Sequence, residues 1–186
     1  MTMRNMMKTL FPIWLPAMAF WTISVSTLTA AEQPAMFSVA EGNISMKAPA
    51  DWVQRKPIVR MIEAEFSIPA KEGDPADGRC TVMGAGGSVQ ANIDRWVAQF
   101  DDPERNETVK KKFGGQQVYL VDLAGTYRDQ RGPFAPAVLR ENYRVLGAII
   151  ETQDYGLYFV KFYGPKATIA AHEEAFHEML DSLQVK

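Results

Sequence analysis

The chain has 186 residues, of which 20 are basic and 22 acidic, so its formal net charge is −2. This balance argues against nucleic acid as a partner, because the one basic run, Lys110–Lys112, lies beside acidic residues. Cys80 is the single cysteine, which excludes an internal disulfide. Its apolar sequence context predicts a buried core residue rather than a reactive thiol.

The first 31 residues have the pattern of a secretory signal. Arg4 and Lys8 precede an uncharged stretch, 9–31, that begins apolar and ends in small residues. We expect cleavage after Thr29-Ala30-Ala31 and export to the periplasm or the cell exterior, with no stable membrane anchor remaining. The alternative is a membrane tether through an uncleaved segment near Leu10 to Leu28, because the uncharged stretch is long enough to span a bilayer.

The predicted mature chain, 32–186, fits one domain and begins with strands. Met36–Ala40 and Ile44–Lys47 flank a Gly42-Asn43 turn and predict a hairpin. Residues Met61–Ile68 alternate between apolar and polar side chains, as in a strand with one wet face. A loop follows, and then a strand over Arg79–Met83.

Ser88 is a typical N-cap residue and begins a predicted amphipathic helix. Its apolar residues recur at helical spacing as far as Phe100, and we expect the helix to end near Asp101-Asp102-Pro103. A second hairpin is predicted over Thr108–Phe113 and Gln116–Tyr127, with a turn at two glycines. A further strand is predicted over Asn142–Thr152.

The clearest pattern is at the carboxyl end. Gly156–Gly164 predicts a strand that is apolar on both faces except at Lys161, which favours a position inside the sheet. Lys166–Leu183 predicts one amphipathic helix. The element order predicts an α/β (α+β) fold in which helices flank a central antiparallel sheet, a three-layer α/β/α sandwich. The rival arrangement has two layers, with both helices on one side of the sheet and a partner on the other.

The sequence assigns no catalytic, cofactor-binding or metal-binding residue. His172 and His177 are five positions apart on a predicted helix, so they point in different directions and cannot ligate one zinc ion locally. The glycines of Gly84–Ser88 match neither of the common nucleotide-binding fingerprints. The candidate contact for a partner is the loop Arg128–Pro136, where Arg131 and Phe134 lie among prolines. The alternative is that Phe134 anchors the loop to its own domain.

The chain resembles the PsbP-like family, which is named for an exported accessory subunit of the photosynthetic oxygen-evolving complex. The resemblance rests on Ala48-Pro49-Ala50-Asp51-Trp52, on the paired late strands, and on the ending Gly164-Pro165 … Phe176 … Leu180-Asp-Ser-Leu183. It implies a central antiparallel sheet with helices on both sides and a non-enzymatic accessory role. The family's metal and photosystem functions find no matching residues here.

We therefore expect an exported, non-catalytic domain that binds another envelope protein and needs no cofactor. Two alternatives stay open at this point. One is a small-ligand carrier with a cavity between sheet and helix, and the other is an enzyme whose site assembles only in three dimensions.

Overall fold

The computed structural model describes residues 35–130 and 136–186. The predicted export signal, 1–31, the segment near Leu10 to Leu28, and the candidate contact residues Arg131 and Phe134 lie outside the described residues. The strands are β1 (Met36–Val39), β2 (Ile44–Lys47), β3 (Val53–Arg55), β4 (Ala64–Ile68), β5 (Gly78–Ala85), β6 (Phe100–Phe113), β7 (Gln116–Asp129), β8 (Val138–Glu151), β9 (Leu157–Pro165) and β10 (Gln184–Val185). The helices are α1 (Val89–Val97), α2 (Lys166–Ala171) and α3 (Glu173–Asp181).

In this part of the chain the strands form two antiparallel sheets. The larger has seven strands in the order β3-β4-β5-β9-β8-β7-β6, and the smaller has three in the order β1-β2-β10. The predicted interior position of the carboxyl-terminal strand is confirmed, because β9 lies between β5 and β8. The first predicted hairpin is also confirmed, as β1 and β2.

The apolar side chains of β9 belong to two separate hydrophobic clusters, one on each face of the strand. On one face Val160 and Phe162 pack with Phe176 of α3 and with residues of the small sheet. On the other face Phe159 packs with Trp96 of α1. Since successive strand residues point to opposite faces, a strand that is apolar throughout needs cover on both sides.

The described structure contains more strand and less helix than the predicted sandwich implied. The helices α1 and α3 have nine residues each, whereas β6, β7 and β8 have 14. Short helices cannot cover the whole of such long strands. Over residues 35–130 and 136–186, no helix combines the length and the apolar character needed to cross a bilayer.

The predicted end of the first helix was wrong. α1 ends at Val97, and Phe100 already begins β6. Asp101, expected to terminate the helix, pairs with Thr126 across the sheet. The pairing is irregular between Asp101 and Arg105, and Asp102 has a positive φ of 46° there. This irregularity accommodates Pro103, which cannot donate a hydrogen bond to a neighbouring strand.

The single helix predicted over Lys166–Leu183 was also wrong in one respect. The helix is interrupted at His172, whose φ of −109° and ψ of 12° depart from helical values. Ile169 before the break and Phe176 after it both remain buried in the same apolar cluster. The amphipathic pattern survives the interruption, which explains why the sequence did not reveal it.

Gly147 on β8 lies directly against Trp96 of α1. A Cβ atom at this position would overlap the six-membered ring of Trp96. Because Gly147 has no side chain, α1 can lie directly on the sheet. In this position Trp96 lies beside Lys161, the residue that pairs with Gly147.

We predict that Gly147→Ala destabilises the fold by about 1–3 kcal/mol, because overpacking a filled core forces the ring or the helix to shift. Gly86→Ala is the matched control, since a Cβ there meets nothing within 4 Å. Urea denaturation of both variants measures the difference. Equal stability of the two variants would contradict this account of the contact between α1 and the sheet.

Candidate functional site

Part of the sheet face under α1 extends beyond the helix and forms a cleft of about 460 Å³. We call it the Arg–Tyr cleft, after Arg79, Arg140, Tyr143 and Tyr163, which line it. These side chains come from β5, β8 and β9, so rigid neighbouring strands position them. Arginine and tyrosine are the residue types enriched at the centres of protein interfaces.

Arg79 is held in place by its two neighbouring strands. Its Nε donates to Oε1 of Glu65 on β4 at 2.9 Å, and its Nη1 donates to the Tyr163 hydroxyl on β9 at 2.6 Å. Burial alone would lower the pKa of Arg79, but its hydrogen bonds to Glu65 and Tyr163 and the charge of Glu65 raise it overall. Arg79 is therefore a permanently charged and oriented group in the cleft.

The opposite side of the cleft carries a second ion pair. The Nε atom of Arg140 lies 3.6 Å from Oδ2 of Asp129, on the adjacent strand β7. Asp77, which also lines the cleft, accepts hydrogen bonds from the Ser67 hydroxyl and the Ala70 amide. The cleft thus places two guanidinium groups among three carboxylates.

Lys161 lies behind the cleft, where it is the exception on an otherwise apolar strand. Its ammonium group donates to Gln99 Oε1 and to the Tyr127 hydroxyl, the latter at 3.2 Å. The rings of Tyr127 and Tyr163 each have their centroid 5.2 Å from Nζ, and that of Trp96 is 6.0 Å away. Such rings attract a cation through their quadrupoles.

Desolvation is the main influence on the charge of this lysine. It lowers the pKa of Lys161 to about 7, with a further lowering by the nearby charge of Arg79 and an opposing effect of Asp129. Desolvation also raises the pKa values of Tyr127 and Tyr163, so both hydroxyls stay protonated while they accept from Lys161 and Arg79. The lysine and the tyrosines form a polar cluster that supports the cleft from within.

Exposed apolar side chains form the rim. Ile58 and Val59 line the cleft from the loop between β3 and β4, and their exposed fractions are 98% and 45%. Met61 in the same loop is 67% exposed. Exposed apolar side chains beside oriented polar groups suit contact with another molecule.

The site residues proposed from the sequence meet different outcomes. Arg131 and Phe134 lie outside the described residues, so their contact role remains a prediction. Ser88 is confirmed as the N-cap of α1, where its hydroxyl accepts from the Ala91 amide at 3.2 Å. Cys80 is confirmed as buried, which raises the pKa of its thiol. His172 Nδ1 lies 3.2 Å from Asp51 Oδ2.

Sequence reasoning missed the Arg–Tyr cleft altogether. Lys161 was the one usable signal, because a lysine on a strand that is apolar on both faces must have polar or aromatic partners. Its partners come from positions distant in the chain, and their convergence depends on strand order.

Several solved structures are similar to this chain in fold, and two of them are described below. Cyanobacterial PsbP (CyanoP) from Synechocystis sp. PCC 6803 has a TM-score of 0.51 at 12% identity, covering 88% of this chain and 98% of that one. LpqN of Mycobacterium tuberculosis, described as involved in cell envelope biogenesis, has a TM-score of 0.53 at 12% identity, covering 83% of this chain and 91% of that one. No protein-family model matches the chain, and no curated protein matches it in sequence. The fold is PsbP-like, as the resemblance implied.

We predict that the free energy of unfolding rises with pH above about 7 and that Lys161→Met abolishes this rise. The folded chain loses the Lys161 proton near pH 7, whereas the unfolded chain keeps it up to about pH 10.4. The unfolded state therefore binds more protons in that interval, and the free energy of unfolding rises with pH by at most about 1.4 kcal/mol per unit. Chemical denaturation from pH 7 to about 8 measures the slope below the range in which the Cys80 thiol of the unfolded chain and the tyrosines titrate.

Lys110→Met is the control, because Lys110 is exposed and also lies over a tyrosine ring, that of Tyr119 at 5.2 Å. The control should keep the slope of the unsubstituted chain. A slope that persists in Lys161→Met would show that another group causes it.

Proposed function

We propose that this protein is an exported, non-catalytic accessory domain that binds another envelope protein through the Arg–Tyr cleft. The observation that carries the proposal is the exposed apolar rim, Ile58 and Val59, beside a cleft lined by two arginines and two tyrosines. The export part rests on the signal pattern of residues 1–31. The similarity in fold to LpqN, itself described as involved in envelope biogenesis, supports the same setting.

The proposal includes the finer architecture expected from the sequence. The mature chain, 32–186, is one domain, and its helices make it a three-layer α/β/α sandwich. In support of this, α1 contributes to the apolar cluster on one face of β9, and α3 contributes to the cluster on the other.

A carrier of apolar ligands is less well supported. The cavity next to α3, lined by Leu120, Leu146 and Phe176, has a volume of about 150 Å³. Pockets that enclose a drug-sized ligand are typically larger, about 300–1,000 Å³. The Arg–Tyr cleft is larger, but its charged lining does not suit an apolar ligand.

An enzyme is also less well supported, although titratable groups do converge in the cleft. Arg79 is engaged by Glu65 and Tyr163, and Arg140 faces Asp129. These pairings orient the groups for recognition and hold their charges fixed, whereas a general acid or base must exchange a proton during turnover.

We predict that a photo-crosslinking amino acid at Ile58 yields a discrete protein adduct in the envelope of the producing cell. The same group at Met36, which is 53% exposed on β1, serves as the positional control. A partner docked on the rim would lie within reach of position 58 and not of position 36. Adducts at both positions alike, or at neither, would contradict the proposal.

A substitution pair tests the rim energetically. Met61→Ser should reduce the yield of the adduct at position 58 about tenfold or more, because burial of an apolar side chain contributes about 1.5–3 kcal/mol to an interface. Met36→Ser replaces a methionine of comparable exposure and should leave the yield unchanged. An equal effect of the two substitutions would remove the rim from the interface.

The contact role predicted for Arg131 and Phe134 has its own test. Phe134→Ala should leave thermal unfolding unchanged and weaken the adduct at position 58, since its loop joins β7 and β8, which carry Asp129 and Arg140. An undiminished adduct would place the contact elsewhere, and a lowered unfolding temperature would favour the loop-anchor alternative.

A further inference from the structure

The strand β6 forms one end of the seven-stranded sheet and pairs there with β7 alone among the described residues. Over residues 105–113, which we call the β6 edge, this pairing is regular, and every residue from 104 to 112 is exposed. The free side of such a strand presents main-chain N–H and C=O groups with which another strand can pair. Val109, at the centre of the β6 edge, is an apolar residue that is 49% exposed.

The turn that joins β6 to β7 decides which main-chain groups of the β6 edge face outward. It consists of Gly114 and Gly115, whose φ values of 52° and 79° are typical of a type I′ hairpin. Phe113, the residue before the turn, is then hydrogen-bonded to β7, and hydrogen-bonded and open positions alternate from there. Odd-numbered residues thus direct their main chain toward β7, where the Lys111 carbonyl accepts from the side-chain amide of Gln117 at 2.7 Å. The even-numbered residues direct their main chain outward: Asn106, Thr108, Lys110 and Lys112.

A second copy of the chain presents the same edge, and lysines on an edge oppose most ways of pairing two copies. In a two-fold antiparallel pair the outward residues face each other, so the axis passes through a residue position. An axis at Glu107, Lys110 or Lys111 places that charged residue opposite its own copy, and an axis at Thr108 places Arg105 opposite Lys111. Like charges directly opposite each other destabilise paired strands. An axis near either end of the β6 edge pairs few of its residues.

An axis at Val109 is the register that remains, and it satisfies the outward main-chain groups. Thr108 then faces Lys110 of the second copy, and Asn106 faces Lys112 of the second copy. Each of these residues directs its N–H and C=O outward, so each pair exchanges two main-chain hydrogen bonds. Two-fold symmetry repeats both pairs on the other side of the axis.

The side chains of this register are complementary as well. Glu107, Val109 and Lys111 lie on one face of β6, beside the cavity next to α3. With the axis at Val109, this residue meets its own copy, and Glu107 lies opposite Lys111 of the second copy. These are the open pairs, in which side chains come closest together. Glu107 also lies 3.3 Å from Arg105 of its own strand, yet 60% of its side chain is exposed and available to a second cation.

We propose that β6 pairs with β6 of a second copy of this chain, antiparallel and with the two-fold axis at Val109. The large sheets of the two copies then continue into one. This inference goes beyond the proposed function and does not depend on it, because none of the described residues that line the Arg–Tyr cleft belongs to β6.

Complementary charge reversals test both the surface and its register. The full chain, as its producing cell releases it, is studied by sedimentation equilibrium over a wide range of concentrations. We expect the unsubstituted chain to show an equilibrium between monomer and dimer. Glu107→Lys or Lys111→Glu alone should raise the dissociation constant of the dimer about tenfold or more, because symmetry turns two attractive pairs into repulsive ones.

A mixture of the two variants is the most specific measurement. One variant is basic at both positions and the other is acidic at both, so a mixed dimer regains two attractive pairs. Its dissociation constant should return to within about threefold of that of the unsubstituted chain. Lys110→Glu is the matched control, because it makes the same change of charge in the same lysine run but faces Thr108, and it should alter the constant little.

Each other outcome overturns the inference. A chain that stays monomeric at every concentration has no such interface, and a dimer that neither reversal weakens forms through another surface. A mixture that does not associate contradicts the register, and an equal effect of Lys110→Glu would mean that net charge alone governs association. Both reversed residues are exposed, so thermal unfolding should be unchanged. If a reversal does disturb folding, Val109→Lys tests the same axis, since it places a charge opposite its own copy and should weaken the dimer about tenfold.

Discussion

The fold depends on a strand that is apolar on both faces and therefore has to be covered twice. β9 meets this requirement by lying between β5 and β8, with Phe162 in one apolar cluster and Phe159 in the other. The helices and the small sheet cover its two faces. Because α1 has only nine residues, it does not cover the full length of the strands beneath it. The Arg–Tyr cleft occupies the part of that face that remains.

Lys161 links the covered and uncovered parts of this face. It takes a position at which the alternation of β9 predicts an apolar residue, and aromatic rings and hydrogen-bond acceptors surround it. Tyr163 belongs both to this surrounding group and to the partners of Arg79. The polar groups of the cleft are therefore held by the core of the domain, which fixes their geometry before any partner arrives.

Much of the fold could be predicted from the sequence, because period-two and helical patterns identify strands and helices directly. The strand β9 and its interior position were found in this way, whereas the PsbP-like fold was implied by the resemblance of short motifs to that family. The end of α1 and the break at His172 were not predicted. A β6 strand that begins at Phe100 requires its partner β7, and the interruption at His172 leaves the amphipathic pattern intact.

The site was beyond sequence analysis for a related reason. Exposure of Ile58 cannot be read from its identity, since an isoleucine in a loop is as compatible with burial as with binding. Oxidative footprinting of methionine measures exposure directly and tests the central claim. In the purified chain Met61 and Met36 should oxidise at comparable rates, whereas in intact envelopes Met61 should be protected and Met36 should not. Equal oxidation of the two in envelopes would contradict a partner on the rim of the Arg–Tyr cleft.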